Sequence, residues 1–470
     1  MNFKQLDIGV IHFVGIGGIG MSGIAEIMHN MGYKVQGSDV SRNNNVIRLE
    51  KLGIKIFIEQ TADNIKDAEI LVISSAIKDD NPEVIAARKK LIPILGRADM
   101  LAELMRLKAS VAIAGTHGKT TTTSLVAALF DRAGLDPTIV NGGIINSFAS
   151  NARLGSGNWL IAEADESDGS FTKLPATIAV VTNIDPEHMD FYGDFDNLKS
   201  AFTSFIKNVP LHGFACLCID HPVVQSLIPE MSEHRIITYG FSPQANVRAI
   251  DVEQTSKGST YNIIISDNNS ENSLFLRDVF LPIPGKHNVL NSLAAIAIAH
   301  KLDFDMKLVK DALSKFSGVK RRFTKTGETN GISIIDDYGH HPTEIMATLK
   351  AARSVTENKV IAVWQPHRYS RVKNLFDDFC KCFNDADTVI ITDIYKAGET
   401  ETFNLSKHEL AKGLTAHGHR NVIVLEDENN LAKIINENAQ KGDFVICLGA
   451  GSITYLAEKL PQQIEDLSKN

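Results

Sequence analysis

Residues 8–14 form an almost unbroken apolar run that breaks into glycines and then resumes as an amphipathic stretch. The rhythm repeats at residues 34–37 and 70–74, each a short apolar run followed by helix-like spacing. Such alternation predicts parallel strands joined by crossover helices. It restarts at residues 109–114, which lead into a threonine-rich segment and a predicted helix near 120–133; strand-like runs follow at 159–162 and 178–183. Residues 236–284 alternate apolar and polar positions, which predicts antiparallel pairing. Residues 286–303 read as an alanine-rich helix, and a third restart brings strands at 332–336, 360–364, 389–392 and 444–448. The restarts put boundaries near 107 and 318 and predict an α/β chain of three domains, 1–107, 108–318 and 319–470. A length of 470 residues agrees, being more than one core usually organises.

Composition narrows the classes. With 48 basic and 56 acidic residues the balance is −8, against a general binder of nucleic acid or of anionic membranes. Nothing is long and apolar enough to span a bilayer. Five cysteines with no C-x-x-C spacing argue against a disulfide framework or zinc site and for a reduced, cytoplasmic protein. Residues 8–28 lack the basic, apolar and cleavage order of a secretion signal.

Gly115-Thr116-His117-Gly118-Lys119-Thr120-Thr121 follows a predicted strand and opens a predicted helix. The common phosphate loop G-x-x-x-x-G-K-[ST] would need glycine where Ile113 stands. The working parts are nonetheless in order: small residues for close backbone approach, a lysine for phosphates and a hydroxyl for magnesium. Beyond it, Glu163, Asp165, Glu166 and Asp168 cluster after the run at 159–162, where α/β proteins place ligand groups; one carboxylate plus the loop hydroxyl would serve a magnesium ion. Asn183, Asp185, Glu187, His188 and Asp190 make a second polar cluster, in which the histidine could equally cap a helix or sit in the core.

Gly15-Ile-Gly17-Gly18-Ile-Gly20, with Asp39 at the end of the next strand, fits a dinucleotide fingerprint: glycines admit a diphosphate to a helix N-terminus and the acid can meet a ribose. A nicotinamide-dependent dehydrogenase explains that turn, but not the second loop or the carboxylates after it. A diphosphate is also the centre of a UDP-sugar. In the last third, Asp336-Asp337-Tyr338-Gly339-His340-His341 follows a predicted strand; adjacent histidines on an extended strand face opposite ways, against a shared metal. Trp364-Gln-Pro-His367-Arg368-Tyr-Ser-Arg371 carries two arginines three apart that can grip carboxylates.

In these motifs the chain resembles the Mur ligase family of ATP-dependent amide-forming enzymes, whose phosphate loop reads G-T-x-G-K-[ST]-[ST]. The resemblance runs from residue 13 to about 455. It implies a Rossmann-like N-terminal domain that binds the UDP-sugar through Gly15, Gly17, Gly18, Gly20, Asp39, Ser74 and Arg97. It implies a central P-loop-type domain that holds ATP at residues 115–121, with His287, Asn291, Arg322 and Asp336 as further ATP contacts. It implies a Rossmann-like C-terminal domain whose Tyr338, His340, His367, Arg368 and Arg371 line the amino-acid and carboxylate pocket. Two magnesium ions are implied, with Thr120 and Glu163 on the first and His188 on the second; Lys119, His188 and Arg371 are the implied catalytic set. The Q-P-H-R-Y-S-R form and the absence of lysine in residues 202–206 resemble the branch that adds the first amino acid. The implied reaction joins L-alanine to the lactyl carboxylate of UDP-N-acetylmuramate through an acyl phosphate, in a monomer or weak homodimer.

Overall fold

The computed structural model describes residues 8–148, 150–266, 273–399 and 405–469. Three sheets follow one another along the chain. The first comprises β1 Val10–Val14, β2 Lys34–Asp39, β3 Lys55–Ile58, β4 Ala68–Ile73 and β5 Ile94–Gly96, in the order β3-β2-β1-β4-β5 with every pair parallel. Strand order reverses between β1 and β4, so the crevice at their carboxyl ends is where such a sheet takes a ligand.

The second sheet has ten strands: β6 Ala109–Ala114, β7 Thr138–Ile145, β8 Ser150–Arg153, β9 Trp159–Glu163, β10 Ile178–Val181, β11 Phe214–Cys218, β12 Ile236–Gly240, β13 Val247–Thr255, β14 Gly258–Ile265 and β15 Leu274–Leu281. Their order is β15-β14-β13-β12-β11-β10-β6-β9-β7-β8. Its centre reads as near-continuous apolar runs because both faces are covered: residues 111–114 of β6 and all of β10 are buried. The antiparallel expectation for 236–284 needs correcting at its start, since β12 pairs parallel with both β11 and β13.

The third sheet holds β16 Thr324–Thr329, β17 Ile332–Asp337, β18 Val360–Trp364, β19 Thr388–Ile391, β20 Val422–Val424 and β21 Phe444–Leu448, in the order β16-β17-β21-β18-β19-β20. Only β16 runs antiparallel to its neighbour.

The chain divides into two compact units. One comprises residues 1–250, 263–277 and 290–317; the other comprises 251–262, 278–289 and 318–470. The first unit carries the first sheet and most of the second on one continuous core, in which Ile11, Ile24 and Ile27 belong with Val140, Ala152 and Leu160. The helix Ile19–Asn30 lies so close to β8 that a Cβ on Gly23 would come within 2.9 Å of Ala152 Cβ. Asn151 Nδ2 donates to Ile19 O at 2.6 Å across that contact. Among the described residues no helix is long and apolar enough to cross a membrane.

Candidate active site

In the first unit, β6 feeds the glycine loop and the helix Lys119–Arg132 leaves it, so unpaired N–H groups of the first turn face the loop mouth. Gly115 has φ +135°, and a Cβ there would lie 2.0 Å from Thr182 Oγ1. Gly118 has φ +82°, and its Cβ would lie 2.6 Å from Asn291 Oδ1, so Asn291 packs directly on the loop. Glycine is therefore required at both positions by backbone and by space. The exit of β10 pins the loop. Thr116 N–H donates to Asn183 O (3.1 Å), His117 N–H donates to Asn183 Oδ1 (2.7 Å), and Thr182 Oγ1 donates to His117 O (2.6 Å). Asp185 N–H donates to Thr116 Oγ1 (2.8 Å), and the Nε2 atoms of His117 and His221 lie 3.4 and 3.3 Å from the Asp185 carboxylate. Hydrogen bonds from those two rings hold the Asp185 carboxyl far below its ordinary range.

Lys119 folds back over this loop, donating to Gly115 O (2.6 Å), Thr116 O (3.0 Å) and Glu166 Oε1 (2.9 Å). Burial works against its charge, but Glu166, Glu163 and Asp165 outweigh that and raise its pKa. Burial pushes the Glu166 carboxyl up to about 7 against the pull of Lys119. Thr120 and Thr121 are buried at the helix start. Glu163, at the end of β9, accepts from Gly142 N–H at 2.9 Å.

Glu166, Glu187 and His188 bring a ligand atom each to within 4.8 Å of one another. His188 sits in left-handed conformation (φ 58°, ψ 34°) at the start of the short helix Met189–Tyr192, whose Tyr192 hydroxyl donates to Glu166 O at 2.5 Å. Two carboxylates and one imidazole form a donor set suited to a hard divalent cation. Glu166 and Glu187 are the residues that sequence reasoning left out of the site. Both lay in quoted acidic clusters, but only the fold selects them among their neighbours.

The first sheet's glycine turn lies in the same unit. Gly15 has φ +73°, and the N–H groups of Gly15 and Ile16 donate to Ser38 O at 2.8 and 2.9 Å. Gly18 N–H donates to Gly15 O at 3.1 Å, closing the turn. Asp39 is buried; its Oδ2 accepts Gly17 N–H (2.8 Å) and its Oδ1 accepts Ser41 N–H (3.1 Å), so its visible work is to fix the turn. Arg97 lies against Gly20 and donates to Asp165 Oδ2 at 3.1 Å, which links the glycine turn to the acidic loop. Against burial, Arg97 and Lys119 hold the Asp165 carboxyl below its ordinary range. Ser74 is half-buried just beyond β4.

The second unit gathers the remaining predicted residues. Asp336 is buried on β17; its Oδ2 accepts Thr454 Oγ1 at 2.6 Å, its Oδ1 has no hydrogen-bond partner, and burial raises its pKa. The guanidinium carbons of Arg321 and Arg322 stand 4.9 and 5.1 Å from the Tyr338 ring centroid. His287 is lowered by burial, in the field of Asp337, Arg322 and Glu344. Contrary to the expectation from sequence, His340 and His341 are not on a strand: β17 ends at Asp337, and His341 caps the helix Pro342–Arg353 by accepting Thr343 N–H at 3.3 Å. The rings of His340 and His367 are 5.9 Å apart, and His367 Nδ1 lies 3.2 Å from Arg371 Nη1. Burial, then His340, Arg371 and Arg368, push the His367 pKa down to about 3, so its imidazole is neutral and can accept from Arg371. Arg368 is exposed, with φ 66° and ψ 127°.

Comparison with known proteins completes the picture. Residues 10–109 match the model described as Mur ligase family, catalytic domain; residues 113–299 match the Mur ligase middle domain; residues 321–451 match the Mur ligase glutamate ligase domain. The chain is 58% identical to the UDP-N-acetylmuramate–L-alanine ligase of Rhodospirillum rubrum over 99% of its own length and 97% of the relative's. It is 57% identical to the enzyme of that name from Gluconobacter oxydans over 100% and 98%. The crystal structure of UDP-N-acetylmuramate-alanine ligase from Thermotoga maritima is similar at TM-score 0.81 and 30% identity, covering 98% of this chain and 100% of that one. A murein peptide ligase from Psychrobacter arcticus, at 22% identity and TM-score 0.70, shares the fold over 97% of this chain and 99% of its own.

Proposed function

The chain belongs to the Mur ligase family, and from that premise we propose that it joins L-alanine to the lactyl carboxylate of UDP-N-acetylmuramate, converting ATP to ADP and phosphate, in peptidoglycan precursor synthesis. The observation that carries this reading is the pinned loop of residues 115–121, with Lys119 held between the loop carbonyls and Glu166.

The residues divide the work as their chemistry suggests, with residues 1–107 taking the sugar nucleotide, 108–318 taking ATP and 319–470 taking the amino acid. The turn from Gly15 to Gly20 receives the sugar's diphosphate on backbone N–H groups, with Ser74 and Arg97 beside it. The loop N–H groups and the Lys119 ammonium face the ATP phosphates, where they offset the charge that develops as the γ-phosphoryl group leaves. Asn291, packed against the loop, is a further nucleotide contact. The carboxylate of the sugar accepts the phosphoryl group and becomes an acyl phosphate; the L-alanine amine then attacks that carbonyl and phosphate departs. Tyr338, His340, His367, Arg368 and Arg371 hold carboxylates on this pathway, the arginines because their fork keeps its charge and matches carboxylate geometry.

Magnesium fits the donors present. Glu166, Glu187 and His188 would hold one ion, and Thr120 with Glu163 a second. When bound, the ions supply positive charge at the phosphates. The described cysteines, Cys216, Cys218, Cys380, Cys382 and Cys447, are free and buried, which supports a reducing cytoplasm.

A coupled phosphate-release assay tests the reading. Release should require ATP, UDP-N-acetylmuramate and an amino acid together, with L-alanine preferred over glycine and L-serine. Equal release without the sugar, or a nicotinamide absorbance change without ATP, would sink it.

A further inference from the structure

The strip that follows β19 lies along the turn that follows β18. His367 and Tyr395 form an isolated parallel bridge, in which Tyr395 N–H donates to Pro366 O at 2.8 Å and Arg368 N–H donates to Tyr395 O at 2.9 Å. The two rings are stacked, with centroids 5.5 Å apart and planes 11° from parallel. Tyr395 is also held by Gly451, where a Cβ would come within 2.5 Å of Tyr395 Cγ and of Gln365 Oε1. Four residues on, the Glu399 carboxylate accepts Ser370 N–H (3.2 Å) and Ser370 Oγ–H (2.5 Å). The strip therefore grips the 365–371 turn at both ends.

That turn needs a grip. Arg368, at φ 66° and ψ 127°, occupies backbone space that side chains other than glycine rarely visit, and its N–H is tied down by Tyr395 O. One residue earlier, the His367 imidazole presents Nδ1 to Arg371 Nη1 at 3.2 Å. A guanidinium grips a carboxylate well only when its fork is aimed, and here the aim depends on a ring held flat by its neighbour.

We propose that Tyr395 is a positioning residue of the amino-acid pocket: its ring backs His367, its main chain pins Arg368, and through them it sets the direction of Arg371 toward the carboxylate of the incoming amino acid. The assignment rests on the reading of His367 and Arg371 as pocket residues. A flat ring is favoured because it stacks on His367 on one side and approaches Gly451 so closely that a Cβ there would collide, although Tyr395 stays 41% exposed. The hydroxyl is dispensable, so phenylalanine should replace tyrosine and an aliphatic side chain should not.

The test compares Tyr395→Phe and Tyr395→Leu with wild type by phosphate release, with KM measured for each substrate in turn and the other standard amino acids tried in place of L-alanine. Loss of an aromatic stack corresponds to about threefold to tenfold, so Tyr395→Leu should raise the KM for the amino acid by roughly that factor while those for ATP and UDP-N-acetylmuramate stay within about twofold. Tyr395→Phe should return the amino-acid KM to near the wild-type value. A folded Tyr395→Leu enzyme with an unchanged amino-acid KM overturns the assignment, as does one in which all three KM values rise together and phenylalanine fails to rescue. If wild type prefers another amino acid, the L-alanine reading fails while the same comparison, made with that amino acid, still decides Tyr395. If wild type uses none, both fall.

Discussion

Lys119→Met would keep an unbranched stem and remove the ammonium that lies 2.8 Å from Glu166 Oε2 and 2.9 Å from Oε1. Glu166 is 1% exposed, so water cannot take over. Breaking one side of a buried pair costs up to about 3–5 kcal/mol while the partner stays charged, and less where the partner takes up a proton, as Glu166 can with its carboxyl already up at about 7. At about 2–4 °C per kcal/mol for a large domain, the unfolding midpoint of the first unit should fall by at most roughly 6–20 °C, and by less as pH is lowered. Adding Glu166→Gln to that variant should recover most of the loss, because an amide needs only hydrogen bonds. Glu166→Gln alone should cost less than Lys119→Met, since Glu163 and Asp165 still lie in the field of Lys119. Thermal unfolding followed by circular dichroism, in EDTA so that no divalent ion substitutes for the lysine, measures all three. Phosphate release should be lost in Lys119→Met and in the double variant, separating the catalytic effect from the structural one. If Lys119→Met melts with wild type, or the double variant melts no higher than the single one, Glu166 is not the buried charge its surroundings indicate.

Gly118→Ala should raise the KM for ATP by about tenfold or more, since the new Cβ meets Asn291 Oδ1 at 2.6 Å and φ is +82°; an unchanged KM would show that the loop has room to shift. Arg97→Ala, which loses the bond to Asp165 and the contact with Gly20, should raise the KM for UDP-N-acetylmuramate and leave that for L-alanine alone. Burial and the neighbouring cations push the His367 pKa down to about 3 from the ordinary 6.5, so between those values the unfolded chain binds more protons and stability falls as pH falls. His367→Asn should flatten the decline in urea midpoint between pH 6.5 and 4; an unaltered slope would mean that His367 titrates freely.

The local parts of this architecture were legible. A short apolar run ending in glycine is readable because backbone geometry imposes it within a few residues, as at Val14–Gly15 and Ala114–Gly115. The parallel pairing of β12 was not readable, because alternation reports which face of a strand is buried and not the direction of its partner. The strands β3, β5 and β20 are at most half-buried and, though apolar, span only three or four residues, too short a run to be told from part of a helix. In the site, Glu166 stood among four acids within six positions, and only the approach of Lys119 from the start of the helix Lys119–Arg132 distinguishes it. His221 reaches Asp185, and Tyr395 reaches His367, across the sheet and from separate loops, with no motif to announce either. The expectation that His340 and His341 extend a strand failed because Pro342 starts a helix and His341 serves as its cap.

The shared core of the first two sheets has a thermodynamic consequence. Because Gly23 packs on Ala152 and Asn151 bonds to Ile19, the glycine turn at residues 15–20 and the loop at 115–121 belong to one cooperative block. A ligand held at either place should therefore protect the same melting transition, each adding about 2.7 kcal/mol at a hundredfold excess over its Kd. In differential scanning calorimetry, the sugar nucleotide would move the peak of the first unit, and an amino acid bound in residues 318–470 would move another. The order in which the peaks respond then serves as a map of where each substrate resides, with no turnover needed.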